Sequence, residues 1–100
     1  MVKHIVFFRL KNEFEAATRL AHAKEIKQRL EALSDSIPEL LAIGVGINFN
    51  VTDNAADISL YTEFATRGDL DNYLQHPEHV AVVPFVNSLT EERRVVDYDL

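Results

Sequence analysis

The first ten residues alternate in a two-residue rhythm. Lys3, Ile5, Phe7 and Arg9 fall on one side of an extended chain, and Val2, His4, Val6, Phe8 and Leu10 on the other. β-Branched and aromatic types dominate residues 2–10, which predicts a first strand. Both sides carry large apolar groups, so this strand is expected to lie centrally and to be covered on both faces. The rhythm then lengthens. Ala16, Leu20, Ala23, Ile26, Leu30, Leu33 and Ile37 recur at three- and four-residue steps and predict a long helix over 14–36. Pro38 ends it, because proline disfavours helical geometry at Ile37 and offers no N–H.

Alternation returns at 40–49. Leu41, Ile43, Val45, Ile47 and Phe49 form an apolar face suited to a helix layer, whereas Leu40, Ala42, Gly44, Gly46 and Asn48 form a face of mostly small groups. Small side chains on a strand leave room for a ligand, another backbone or a bulge. A turn-rich stretch at 50–56 leads to a third strand over 57–64, and the short connection makes the two strands an antiparallel hairpin. Residues 66–74 predict a short helix with Leu70, Tyr73 and Leu74 on one side. Pro77 fits the first position of a further helix, with Val80, Val83 and Val86 as its stripe and Pro84 expected to kink or end it. Residues 92–99 predict a last strand, placed at a sheet edge by its charges.

The resulting order, β-α-β-β-α-β over a single domain of 100 residues, is the ferredoxin-like arrangement of the α+β class. It lays helices on one face of a four-stranded sheet. The opposite face, expected to hold Val2, Val6, Phe8, Leu60 and Phe64, is then too apolar for water. A second copy related by a two-fold axis would cover it and make a dimeric α/β barrel. The small face of the second strand would look into a cavity between the two sheets, and His4 would line it.

Composition narrows the chemistry. Ten Lys and Arg against sixteen Asp and Glu give a net charge of −6, which repels phosphate backbones and anionic lipid, so neither nucleic acid nor membrane is an expected partner. The glycine–aromatic signature of RNA-binding ferredoxin-like modules is absent as well. With no cysteine there are no disulfides, thiolate metal sites or thiol nucleophiles. No apolar run approaches the ~18 residues of a spanning helix, and no secretory signal is visible. A cytoplasmic location is the expectation.

Candidate chemistry rests on the histidines. His79 falls in the first turn of the helix opened by Pro77, where the helix dipole disfavours a positive charge and keeps the imidazole neutral and basic. The plain alternative is a half-exposed or structural histidine. His4, among apolar residues, is either a hydrogen-bonded core histidine or a group that orients a ligand. Tyr73 can donate its hydroxyl to a carbonyl oxygen, or simply fill the core. His76 reads as a turn or capping residue and His22 as partly exposed; Asn48 and Tyr61 are equally ambiguous polar groups on strands. The spacing of His76 and His79 permits a shared metal, but two ligands are not a site, so no metal and no cofactor are assigned. The charged run at 91–94 reads as a solvated strand entry.

Three stretches together carry a resemblance: MVKHIVFFRLK, IPELLAIGVGINFN, and FATRGDLDNYLQHPEHVAVV followed by VVDYDL. Over nearly the whole chain they resemble the stress-responsive A/B barrel (Dabb) family, with YLQHPEHV the most specific element. The resemblance implies a ferredoxin-like protomer and a dimeric barrel whose C-terminal region helps hold the partner. Most bacterial members have no assigned role. A plant relative, the cyclase that makes olivetolic acid, performs an aldol-type condensation without a cofactor, and its base, tyrosine and first-strand histidine match His79, Tyr73 and His4 here. A further pocket histidine of that cyclase has no counterpart, since Ile58 stands in its place.

Two functions follow as expectations. One is a homodimer that binds a small apolar or aromatic molecule in its barrel cavity. The other is a cofactor-independent, cyclase-like enzyme that uses His79 as general base, with Tyr73 and His4 orienting the oxygen on which charge develops. An open pocket joining His4, Tyr73 and His79 favours the enzyme; a pocket plugged by Phe8, Phe64 or Phe85 favours the scaffold.

Overall fold

The first strand, β1 (Val2–Leu10), forms over the whole of the predicted alternating stretch. A computed structural model describes residues 1–100. Helix α1 (Ala16–Glu31) runs into a 3-10 turn at Ala32–Asp35, followed by β2 (Ala42–Ile47) and β3 (Ile58–Phe64). Helix α2 (Arg67–Gln75) is separated from α3 (Pro77–Leu89) by His76 alone, and β4 (Thr90–Asp99) closes the chain. The strands pair antiparallel in the order β2-β3-β1-β4. This is the ferredoxin-like α+β fold, with β4 at an edge as its charges predicted.

Register decides which side chains meet the helices. Val6 lies opposite Leu60 on one side and Val95 on the other, and Leu60 lies opposite Val45, so the four form one row across the sheet. Rows of this parity carry Val2, His4, Val6, Phe8 and Leu10 from β1 and Ile58, Leu60, Thr62 and Phe64 from β3, all buried. Against them pack Ala23, Ile26 and Leu30 of α1, Leu70 and Tyr73 of α2, and Val82 and Val86 of α3. The α1 stripe is thus buried from Ala23 onward, while Leu20 stays exposed.

This corrects the expected orientation of the sheet. Val2, Val6, Phe8, Leu60 and Phe64 do not form the uncovered face; none is more than 5% exposed, because the helices lie on them. The outer face carries Lys3, Ile5, Phe7 and Arg9 of β1, which face Tyr98, Val96, Arg94 and Glu92 of β4. It is a mixed surface with an apolar centre, where Phe7, Val96 and Tyr98 are 40–50% exposed. Within one protomer the helices cover β1 on its inner face, and its outer face is this exposed mixed surface.

Two helix expectations also change. Val82 and Val86 are the buried valines of α3, whereas Val80 faces outward. Pro84 does not end α3; the helix continues to Leu89. Proline removes one bond, to the Val80 carbonyl, and both residues sit on the exposed side, where water can replace it.

The two sheet edges differ. On β2, Val45 N–H donates to Glu31 Oε2 at 3.0 Å and its carbonyl accepts from Lys27 Nζ at 2.5 Å. Lys27 and Glu31, one turn apart on α1, pair with each other at 2.9 Å. The outward backbone groups in the middle of β2 are therefore already occupied.

Candidate functional site

The break between α2 and α3 builds the site. Thr66 caps α2, accepting from Asp69 N–H at 3.1 Å. At the other end His76 is extended, as a residue before proline must be, and its Nδ1 accepts from Glu78 N–H at 3.1 Å to cap α3. His76 is thus the capping residue the sequence suggested. Pro77 takes the first helical position. The sharp turn folds His79 back against Tyr73, with ring centroids 4.6 Å apart. Tyr73 also meets Phe64 at 5.0 Å and His4 at 6.3 Å, so the three candidate residues form one cluster between α2, α3 and β1.

His79 is half-buried and its tautomer is fixed. Its Nδ1 lies 3.1 Å from the Leu74 carbonyl, which can only accept, so Nδ1 carries the proton and Nε2 the lone pair of the neutral ring. Burial pushes its pKa below the usual imidazole value, against the opposing Leu74 bond; the neighbouring His4 and the Arg93 cation add to the lowering. The ring is therefore a neutral base near pH 7.

His4 is held from both ends. Its carbonyl accepts from the buried Thr62 hydroxyl at 2.7 Å, and its Nδ1 donates to Asp97 Oδ1 at 2.5 Å across the β1–β4 ladder. Tyr73 is fully buried, and its hydroxyl is a buried polar group with no hydrogen-bond partner. Burial pushes its pKa up to about 12, so near neutrality the hydroxyl stays protonated.

A cavity of about 300 Å³ opens between the inner face of the sheet and α3. His4 and His79 line it together with Val6, Phe8, Leu60 and Val83, and Asn87 and Arg93 supply its other polar groups. The expected pocket thus joins His4 to His79 but leaves Tyr73 behind its wall. It also lies within one protomer, on the helix side of the sheet, and not between two sheets. A larger hollow of about 760 Å³ does lie on the outer face under the 48–56 loop, lined in part by the small-residue side of β2 at Gly46 and by Asn48. None of His4, Tyr73 and His79 reaches it, so the smaller cavity, where the titratable groups converge, is the candidate site.

Asn48 and Tyr61 serve elsewhere. Asn48 braces the loop through Ala56 O at 2.6 Å, and Tyr61 accepts from Lys3 on the outer face at 2.8 Å and donates to Glu63. His22 is partly exposed, edge-on to Phe14. No three His, Asp or Glu converge as metal ligands. Three polar residues of the site, Asn87, Asp97 and Arg93, were not singled out from the sequence. Asp97 was hidden 93 positions from its partner, and only pairing of the terminal strands brings it opposite His4. Arg93 belonged to a run read as solvated.

A family model for the stress responsive A/B barrel domain (Dabb) matches residues 2–100. Among solved structures, a dimeric protein of unknown function with a ferredoxin-like fold from Bacteroides fragilis is 36% identical, with a TM-score of 0.89 over 99% of this chain and 95% of that one. A dimeric ferredoxin-like protein of unknown function from Thermobifida fusca is 20% identical, with a TM-score of 0.83 over 99% and 90%. A hydroxynitrile lyase from Passiflora edulis is 18% identical, with a TM-score of 0.83 over 99% and 92%. No curated protein sequence matches the chain.

Proposed function

The chain belongs to the stress responsive A/B barrel domain (Dabb) family, and from that premise we propose that it works as a homodimer in which each protomer holds a small, mostly apolar molecule over His4 and His79, and that His79 removes a proton from it. The observation that carries this reading is the fixed tautomer of His79, whose Nδ1 is committed to Leu74 O at 3.1 Å while its ring lines the cavity. A neutral base with its lone pair on a defined atom, walled by apolar groups, suits abstraction of a proton next to a carbonyl. His4, its Nδ1–H committed to Asp97, stands on the same wall with its Nε2 lone pair free to accept from a donor group of the bound molecule. Residues of one chain perform each of these steps.

Self-association is supported by the dimeric relatives from Bacteroides fragilis and Thermobifida fusca, and by the exposed apolar centre at Phe7, Val96 and Tyr98. No helix of the chain is long and apolar enough to cross a membrane.

The test is exchange of the acidic protons of a panel of alkyl and aryl ketones in D2O, followed by proton NMR. The protein accelerates exchange for at least one ketone, and His79→Ala removes about 10²–10⁴ of that acceleration. Equal rates with wild type and His79→Ala overturn the base assignment.

A second reading, binding without reaction, is favoured by Tyr73, whose hydroxyl is sealed behind the cavity wall and lacks any partner. It predicts that the same ketones shift the NMR signals of Val82 and Val83 with no exchange above the buffer rate.

A further inference from the structure

Arginine in this protein is a paired residue. Arg9 and Arg94 meet Glu92, Arg19 meets Asp57, Arg29 meets Glu25, and Arg67 meets Asp99. Arg93 is the exception: it takes part in none of the ion pairs, although its neighbour Arg94 does. It projects from β4 opposite Phe8, on the helix-facing side of the sheet, and lines the cavity that His4 and His79 share. From there its charge acts on both His79 and Tyr73.

The cavity is therefore polarised along its length. Arg93 and Asn87 both bring hydrogen-bond donors to the wall. Asp97, the one carboxylate bound to a cavity residue, lies four residues further along the same strand face, roughly 13 Å away at the rise of an extended chain. It is also engaged with His4. Between these ends the wall is apolar, with Val6, Phe8, Leu60 and Val83. The protein as a whole carries a charge of −6, so an unneutralised guanidinium here is a local reversal of the field and not part of a general basic surface.

We propose that the ligand of this cavity is a carboxylate with an apolar body, its acid group held by the Arg93 guanidinium and its body laid along the valines toward His79. The proposal rests on the reading of the cavity as a small-molecule site and names the class of molecule it takes. Guanidinium matches a carboxylate with two parallel N–H donors, which fixes orientation as well as affinity. The volume of about 300 Å³ sets the size, since at the roughly 30 Å³ that a liquid water takes it holds about ten heavy atoms. A medium-chain or aryl carboxylate meets both conditions.

Octanoate and 1-octanol, with nearly the same hydrocarbon and different heads, are the probes. Each is titrated into the full-length protein at low salt and followed by NMR shifts of Val82, Val83 and His79. Octanoate binds about tenfold or more tightly than octanol, and Arg93→Leu, a change at an exposed position, brings the two within about twofold of each other. Equal affinity of the wild type for both probes overturns the inference while leaving the cavity as a binding site. A preference for octanoate that survives in Arg93→Leu overturns it as well. Failure of both probes to shift any cavity residue overturns the cavity reading together with it.

Discussion

His4 Nδ1 sits 2.5 Å from Asp97 Oδ1, joining a nearly fully buried imidazole on the central strand to a half-exposed carboxylate on the edge strand. The carboxylate accepts, so Nδ1 is the donor, and the ring plane is set by a residue near the far end of the chain. Through this bond the last strand contributes to the geometry of the first, and the cavity depends on β4 remaining docked.

Asp97→Ala leaves a buried imidazole N–H without its acceptor. Urea denaturation is expected to show a loss of about 1–3 kcal/mol, the range for orphaning a buried donor. Asp97→Asn retains an acceptor oxygen at the same place and recovers most of that loss. Equal destabilisation by both substitutions contradicts the hydrogen-bond account.

Tyr73→Phe deletes a hydroxyl that makes no hydrogen bond in a fully buried position. The urea midpoint is expected to rise or hold, because an unsatisfied buried hydroxyl costs about 1–3 kcal/mol. If the hydroxyl reaches the reacting molecule during turnover, the same substitution lowers the ketone exchange rate while raising stability. A large fall in stability would show that the hydroxyl has a partner after all.

Stability should depend on pH through His79. Its folded-state pKa is lowered, mainly by burial, so the unfolded chain takes up a proton at a higher pH than the folded one. The His79 contribution is fully present above the unfolded value near 6.5 and is lost as pH falls from there through the folded pKa. The carboxylates whose pKa is lowered by their partners, Asp99 through Arg67 and Glu31 through Lys27, lose their contributions at more acid pH. Urea denaturation between pH 8 and 5 isolates the histidines, and His79→Gln is expected to flatten that slope. An unchanged slope refutes the assignment.

The outer face gives a separate prediction. Phe7 and Val96 flank the exposed centre of the sheet, one on β1 and one on β4. The double substitution Phe7→Ser with Val96→Lys is expected to convert the mass seen in sedimentation equilibrium from two chains to one at micromolar concentration. Neither side chain belongs to the inner core, so the circular dichroism spectrum should not change.

The order of the elements and the start of α3 were legible because local chemistry sets them. Alternation made β1, and a proline after an extended histidine made the turn that brings Tyr73 to His79. The orientation of the sheet was not legible from β1 alone, where Val6 and Phe8 compete with Ile5 and Phe7 for the core. Strand alternation gives parity without direction. The deciding signal was present in β2, whose Ile43, Val45 and Ile47 were assigned to the helix layer; register carries that parity through Leu60 and Ile58 to Val6 and Phe8. Asp97 and Arg93 were hidden for a different reason. On an edge strand a charged side chain looks solvated until a partner 93 residues away, or a helix above it, is placed.

The pairing of Lys27 and Glu31 with Val45 has a bearing on assembly. A chain of sheets growing end to end needs two free edges on every molecule, and here one is stoppered by side chains of its own helix. Growth strand to strand is therefore obstructed at the middle of β2 so long as that one lysine and one glutamate stay in place.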